Sequence, residues 1–276
     1  MNAILVVAGK ELRDGLRNRW IIGSTLLLAA LAFALALLGS APAGGGLGAK
    51  PLAVTVVSLA SLTIFLVPLV ALLLSYDSVV GEVERGTMLL LLTYPITRAQ
   101  LLLGKVLGHS AIIAIATIVG YGGAGLAVGL GEGGADPQSW AAFGLLLGSS
   151  ILLGAVFVAL ATLASLLVRE RGTAAGLAVA LWLLFVVVFD LAALGLLVAA
   201  QDRLSPGLFS TLLLFNPADV FRLLNLTGFE NVRSFSGMAG AVAEVSLPAP
   251  ALLAVLGGWI AAPLGAALIL FRRREL

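Results

Sequence analysis

Long stretches without a charged residue recur along this chain of 276 residues, and they limit what it can fold into. A helix needs about 20 consecutive apolar residues to cross the hydrocarbon core of a bilayer. Six windows reach that length, and only the fifth holds a charged residue, Asp190: 20–49, 51–76, 106–131, 137–168, 172–200 and 245–271. Only 11% of all residues are charged, against about 25% in a soluble domain. The sequence therefore predicts an all-α integral membrane protein with six transmembrane helices.

The spans are predicted inside these windows as parts of a single transmembrane domain over 1–276: about 20–40, 52–76, 106–130, 139–167, 173–200 and 249–271. Six spans place both termini on one side, together with the segments 77–105 and 169–171. That side carries 12 of the 16 Lys and Arg residues. Because basic residues beside spans stay in the cytoplasm, we expect both termini in the cytoplasm.

Residues 3–18 are predicted to form an amphipathic helix that lies in the membrane interface. Its apolar stripe consists of Leu5, Ala8, Leu12 and Leu16. A simple basic flank that orients the first span is the alternative. On the outer side, the segment 201–247 is long enough for one or two short surface or re-entrant helices.

Several kinds of chemistry lack their residues in this sequence. It has no cysteine, one histidine and no H-E-x-x-H, so we expect no disulfide and no zinc site of that type. It has no G-x-x-x-x-G-K-[ST], so we expect no ATP bound in a Walker loop of its own. The net charge of +2, without a basic patch, gives no reason to expect nucleic acid. We predict that this chain binds no cofactor or metal itself.

The run GYGGAG, Gly120–Gly125, matches a dinucleotide-binding fingerprint in its letters only. It lies inside an apolar span and follows no strand, so the phosphate-binding geometry has no support. Close packing of helices through small residues is the interpretation we adopt. The pairs Gly104-x-x-x-Gly108 and Gly125-x-x-x-Gly129 extend the same pattern.

Two ionisable residues lie within predicted spans. Asp190 is the only charge well inside one, and a carboxylate there indicates either a functional site or a structural role, in which it pairs with Arg203 or Arg222 or reaches headgroup water. His109 lies one turn into the third span, where we interpret it as an interfacial histidine.

A patterned segment, 77–105, separates the second and third spans, and its core reads GEVERGTMLLLLTYPITRAQLLLGK. Glu82 and Glu84 favour the positive end of a helix dipole, and Gly86 with Thr87 allows a bend and a cap. The leucines that follow form an apolar surface until Pro95 ends the helix. Such a surface in a polar loop is expected to be covered by lipid, by another loop or by another protein.

Glu82-x-Glu84-x-Gly86-Thr87, the leucines, Pro95 and Arg98 resemble the first cytoplasmic loop of type-2 ABC exporter permeases. In that family the loop carries a coupling helix that docks on a separate ATPase. The resemblance implies an ATPase-docking set of Glu82, Glu84, Arg85, Gly86, Thr87, Leu89, Leu90, Leu92, Pro95 and Arg98. It also implies a homodimer with two ATPase subunits, which carry the ATP and Mg²⁺.

FNPADVFRLL, residues 215–224, is similar to an Asn-Pro element in the outer segment of the same family. It implies that Asn216, Pro217, Phe221 and Arg222 face a periplasmic partner or the exit for cargo. Within the family, the whole sequence is most similar to the permeases that serve maturation of nitrous oxide reductase. That likeness implies a periplasmic β-helix partner and a role in building a copper or sulfur site, by export or by mechanical signalling.

Three other functions are compatible with a membrane protein of this composition. A secondary transporter or channel driven by an ion gradient would need several intramembrane charges, and only Asp190 is available. A membrane enzyme would need a nucleophile with its base, or a metal cluster. A structural anchor would recruit soluble partners and move nothing.

Overall fold

The computed structural model describes residues 2–39, 51–131, 135–200, 206–226 and 247–274, and every regular element within those ranges is a helix. The predicted all-α fold is therefore confirmed. The helices are α1 Ala3–Arg17, α2 Arg19–Gly39, α3 Pro51–Ser75, α4 Val80–Glu84, α5 Thr87–Leu91, α6 Arg98–Gly129, α7 Pro137–Leu167, α8 Arg171–Leu183, α9 Phe189–Ala200, α10 Pro206–Leu213, α11 Pro217–Leu226 and α12 Ala249–Arg273. A π-helical turn, Leu184–Val188, joins α8 to α9 without a break.

Five long helices correspond to the second to sixth predicted spans and are apolar and long enough to cross a membrane. The first predicted span corresponds to α2, whose 21 residues extend for about 31 Å. The span predicted from residue 106 is the later part of α6, which begins at Arg98. Length and composition alone admit one further span if the bent pair α10 and α11 counts as one.

The bundle is built around α7, which packs against α3, α6 and α12. Helix α6 also packs against α1 and α2. By contrast, α8, α9 and α12 leave most of their apolar surface exposed in the single chain. In a bilayer such surface faces lipid or a second protein, because every apolar face needs an apolar neighbour.

Close helix approach explains three of the glycines in and just after GYGGAG, whereas a Cβ atom at Gly122 would meet nothing within 4 Å. A Cβ atom at Gly125 would collide with the ring of Phe143, and one at Gly129 would lie 2.5 Å from the Trp140 ring. At Gly120 it would lie 3.2 Å from Cα of Ala29. The packing interpretation is confirmed at these three positions, because the missing side chain leaves room for an aromatic ring at Gly125 and Gly129 and for the backbone of α2 at Gly120.

The segment predicted to lie on the outer side is described only in part, since 201–205, which includes Arg203, and 227–246 lie outside the described residues. Its described portion holds α10 and α11, which meet at an angle of 118°. Helix α11 packs against α3, α7, α12 and the π-helical turn. Helix α11 is therefore seated among the long helices, and Phe209 and Leu213 of α10 are buried as well.

Candidate functional site

The segment 77–105 begins with two short helices joined by a sharp turn. Helix α4 ends at Glu84, and the chain turns at Gly86, whose φ of 69° is a left-handed conformation that glycine adopts readily. Helix α5 follows directly and ends before Pro95. Thr97 then starts α6 with a capping box, in which its side chain and that of Gln100 each accept the other's backbone N–H.

The predicted docking residues divide into an exposed and a buried set. Leu89 is 58% exposed and Leu90 is 65% exposed, and Tyr94 beyond them is 66% exposed. Met88 is buried, and the half-buried Leu92 packs with it on an inner apolar cluster. We call Leu89, Leu90 and Tyr94 the apolar patch. Since α5 has only five residues, its shape depends on this packing and not on helix propensity.

Charged members of the predicted set have different surroundings. Arg85 is exposed, as is Glu84, although Glu84 Oε1 accepts the backbone N–H of Arg171 at 2.7 Å and so caps α8. Glu82 is only 7% exposed. Its side chain points into the protein, toward Lys105, and not toward the surface that carries the apolar patch.

Four ionisable side chains form what we call the lysine cluster: Glu11, Glu82, Lys105 and His109. Lys105 is 1% exposed, and its Nζ lies 2.9 Å from Glu11 Oε1 and 2.6 Å from Glu82 Oε1. His109 Nε2 lies 3.5 Å from Glu11 Oε2. One buried ammonium group thus serves carboxylates from α1 and α4, and removal of one partner of such a pair costs about 3–5 kcal/mol.

The lysine cluster fixes the ionisation of Glu11. Burial alone would raise its pKa, but hydrogen bonding to His109 and the charge of Lys105 outweigh burial, so the pKa of Glu11 lies below its usual range. Lys10, beside the cluster, lies 3.1 Å from Glu11 Oε1 and 3.8 Å from Glu82 Oε1. Burial lowers the pKa of Lys10, yet the neighbouring carboxylates more than reverse that effect and raise it.

Two glycines of α6 bring α1 to this position. A Cβ atom at Gly104 would lie 2.5 Å from Cβ of Val7, and one at Gly108 would lie 2.6 Å from Cβ of Glu11. Only glycine at these positions lets the two helices approach so closely. Glu11 lies outside the predicted apolar stripe of α1, yet it is buried on the face that packs against α6.

The apolar stripe predicted for α1 is also divided between two environments. Ala8 is buried against α6, whereas Leu5 and Leu16 are exposed at 62% and 50%. Leu12 is half-buried. A helix that contacts protein on one side and presents leucines on the next still has the pattern of an interfacial helix, and that assignment stays a prediction.

Arginine side chains also link the ends of several helices at the α1 end of the bundle. Arg171 forms an ion pair with Asp77 at 2.8 Å. Arg98 donates to the carbonyl oxygens of Phe271 and Arg274 at 2.8 and 2.6 Å, and so caps α12. Arg274 in turn donates to Val168 O at 3.0 Å, beyond the end of α7. Arg98, predicted to dock the ATPase, thus has a defined contact within its own chain.

A second polar group, the aspartate cluster, lies among the helices toward the other end: Asp190, Asn216, Asp219 and Arg222. Arg222 Nη2 lies 2.6 Å from Asp190 Oδ2 and also forms an ion pair with Asp219. Of the two partners predicted for Asp190, the structure thus supplies Arg222. Asp190 therefore has the ion-pair partner that the structural interpretation requires.

Asn216 connects this cluster to the π-helical turn. Its Nδ2 donates to Phe185 O at 2.8 Å and to Asp219 Oδ2 at 2.9 Å, while its Oδ1 accepts from the backbone of Ala218. A π turn disturbs the regular pairing of carbonyls in the helix, and Asn216 satisfies one of them. Asn216, Pro217 and Phe221 are all buried in the single chain, with Arg222 half-buried, so they hold α11 in place and present little surface.

Metal ligands do not gather anywhere in the described part of the chain, where no three His, Cys, Asp or Glu side chains lie close enough to share an ion. The lysine cluster contains two carboxylates and a histidine, but an ammonium group occupies its centre. Its chemistry is that of charge pairing between helices.

Comparison with known proteins identifies the family to which this chain belongs. Residues 5–276 match the model of the ABC-2 family transporter proteins, so the chain belongs to the ABC-2 transporter family and is a membrane permease of that class. The family predicted from the 77–105 segment is confirmed. Two relatives carry the name probable ABC transporter permease protein NosY. The one from Stutzerimonas stutzeri is 49% identical over 275 residues, 99% of each chain. The one from Pseudomonas aeruginosa is 48% identical over the whole of both chains.

Proposed function

We propose that this chain is a non-catalytic permease subunit that forms a homodimer and passes the work of two cytosolic ABC ATPases across the bacterial inner membrane. The ATPases would bind ATP and Mg²⁺, and this chain would bind neither. Both termini and the 77–105 segment lie in the cytoplasm in this proposal. The basic residues at the α1 end support that orientation.

The observation that carries the proposal is the apolar patch on α5. Leu89 and Leu90 stand out from a helix that is anchored from beneath by Met88, and Tyr94 is exposed just beyond the end of that helix. Arg85 and Glu84 border the patch. An exposed apolar surface with a charged rim is characteristic of a protein interface, and here the family supplies a partner that binds permeases at this end.

Contacts inside the chain narrow the docking set. Glu82, Arg98 and Leu92 are engaged with Lys105, α12 and the inner apolar cluster, so they hold the loop in shape. Leu89 and Leu90 are left to supply the apolar contact, and Arg85 to supply charge. Burial of the exposed part of Leu90 contributes about 1–2 kcal/mol, which corresponds to roughly a 5- to 30-fold change in Kd.

We further propose that the system matures nitrous oxide reductase and acts on a periplasmic β-helix protein, through export or mechanical signalling. Resemblance of the sequence to permeases of that system supports this, as does full-length identity of 49% and 48% to the two NosY proteins. On the outer side, Leu208 and Phe215 are 60% and 66% exposed. They supply the surface for that contact, next to the buried Asn216.

Co-purification tests the proposal. The chain is expressed with its cognate ATPase and the intact complex is weighed in detergent, where we expect two copies of each subunit. Leu90→Asp should release the ATPase. Leu130→Asp is the matched control, because Leu130 is 76% exposed at the far end of α6. A wild-type chain that binds no ATPase, or a Leu90→Asp chain that binds it as well as the control does, would refute the docking site.

A further inference from the structure

The lysine cluster joins parts of the protein that the proposed function treats separately. Glu11 belongs to α1, Glu82 belongs to α4 within the 77–105 segment, and Lys105 belongs to α6. Both carboxylates contact the same Nζ atom, at 2.9 and 2.6 Å. A shift of the loop relative to α1 would therefore leave a charge without its partner in a place that water barely reaches.

Packing around the cluster leaves little room for such a shift. The backbone of α6 at Gly104 and Gly108 is in direct contact with α1, because a Cβ atom at either position would collide with α1. Val7 and Met88 lie in one apolar cluster with Leu102, so α1 and α5 share a neighbour. Charge and packing thus join the same elements.

Two polar atoms of the cluster face no hydrogen-bond partner among the described residues, Glu82 Oε2 and His109 Nδ1. Glu82 and His109 are 7% and 6% exposed. When a buried polar side chain lacks some of its hydrogen-bond partners, the contact that it still makes contributes more to stability. No other polar group takes the place of that contact when it breaks. For Glu82 the remaining contact is mainly the one to Lys105.

We propose that Lys105 is a positioning residue that holds the 77–105 segment on α1, so that α1 moves with the loop when the ATPase moves it. The inference rests on the proposed function for its movement, but the hold of Lys105 on the loop exists in the permease alone. Helix α1 then belongs to the transmission and carries the displacement along the membrane surface, in addition to anchoring the chain.

Distances between spin labels measure this hold directly. The chain has no cysteine, so Gly9→Cys on α1 and Thr93→Cys in the loop give one defined pair. Both positions are exposed, and a side chain at Gly9 meets nothing within 4 Å. In the full-length permease without ATPase, we expect a single narrow distance distribution.

Three variants separate positioning from a general loss of structure. Lys105→Met keeps an unbranched side chain that is one atom shorter and removes its charge, and it should broaden the Gly9–Thr93 distribution. Lys105→Arg keeps the charge and should restore most of the narrow component. Lys10→Met is the matched control, because Lys10 approaches the same carboxylates but its side chain is 47% exposed. It should leave the distribution as in the wild type.

Glu82→Gln provides a second route if Lys105→Met does not fold, and it too should broaden the distribution. A distribution in Lys105→Met or Glu82→Gln as narrow as that of Lys10→Met would overturn the role of Lys105. With the ATPase bound, addition of ATP should shift a Thr93–Gln138 pair, which spans the bundle, and leave the Gly9–Thr93 pair unchanged. A Gly9–Thr93 distance that shifts as much would overturn joint movement. Failure of the wild type to bind ATPase would instead refute the proposed function.

Discussion

Adding one methyl group to α6 at two positions tests whether close packing places α1. In Gly108→Ala the new Cβ would lie 2.6 Å from Cβ of Glu11 and 2.9 Å from the carbonyl oxygen of Ala8. In Gly122→Ala the same atom would meet nothing within 4 Å. The two substitutions are chemically identical and lie in one helix, so they differ only in their neighbours.

The expected changes in the free energy of unfolding follow from the different neighbours of the two glycines. Alanine is favoured over glycine by about 1 kcal/mol in a helix interior, so Gly122→Ala should be stabilised by up to that amount. At Gly108 the neighbour is backbone, which cannot rotate away, and overpacking costs about 1–3 kcal/mol. The two variants should therefore differ by about 1–3 kcal/mol. For a chain of this size the difference corresponds to roughly 2–10 °C in Tm.

Thermal unfolding in detergent, followed through the fluorescence of the four tryptophans, supplies the readout. We expect Gly122→Ala to unfold at or above the wild-type temperature and Gly108→Ala below it. Equal shifts for the two variants would show that α1 does not lie against α6 at Gly108. The geometry of the lysine cluster would then be refuted as well, because it depends on the same approach.

Three further predictions concern the two polar clusters and the outer surface. Asp190→Asn should lower the free energy of unfolding by about 1.5–3 kcal/mol, because Arg222 loses a charged partner, and an unchanged Tm would contradict the pairing. The pKa of Glu11 is lowered in the folded state, so its stabilisation is complete above about pH 4.3 and is lost as the pH falls. Glu11→Gln should therefore flatten the decline of Tm between about pH 5 and pH 3, and an identical decline would contradict the assignment. A photocrosslinker at Phe215 should reach a periplasmic protein, and products with lipid alone would count against the outer partner.

Much of the fold could be predicted from the sequence because the information is local. The length of an apolar run and the positions of charges at its ends set the spans, so 139–167 and 249–271 agree closely with α7 and α12. Small residues at helix spacing likewise predicted close packing. Gly86 and Pro95 mark interruptions between helices that the structure also has. Glycine permits a left-handed backbone and proline restricts the backbone, so both effects follow from the residue itself.

The partners of charged residues could not be predicted, because they come from distant parts of the chain. Glu11 contacts a lysine 94 positions away, and its own helix shows only that it lies among other charges. The spacing of Lys105 and His109, four residues apart beside two glycines, was a signal that α6 packs tightly against a polar partner. It did not identify α1 as that partner.

The contacts of the aspartate cluster were still harder to predict from the sequence. The run LFVVV is uniformly apolar, and nothing in it indicates a π-helical turn. Asn216 donates to the backbone carbonyl of Phe185. Every residue has such a carbonyl, so the sequence does not indicate which one accepts this hydrogen bond. The element containing Asn216 was predicted to face a partner, whereas its contacts in the single chain are internal.

A photoreactive residue in place of Leu90 tests the central claim most directly, because the claim is that this side chain touches the ATPase. Membranes that contain the permease and its cognate ATPase would be irradiated and the products identified by mass. We predict an adduct between the permease and the ATPase from position 90, and none from Leu130 at the far end of α6. Adducts from position 90 with lipid or a second permease chain, and none with the ATPase, would contradict the docking of α5.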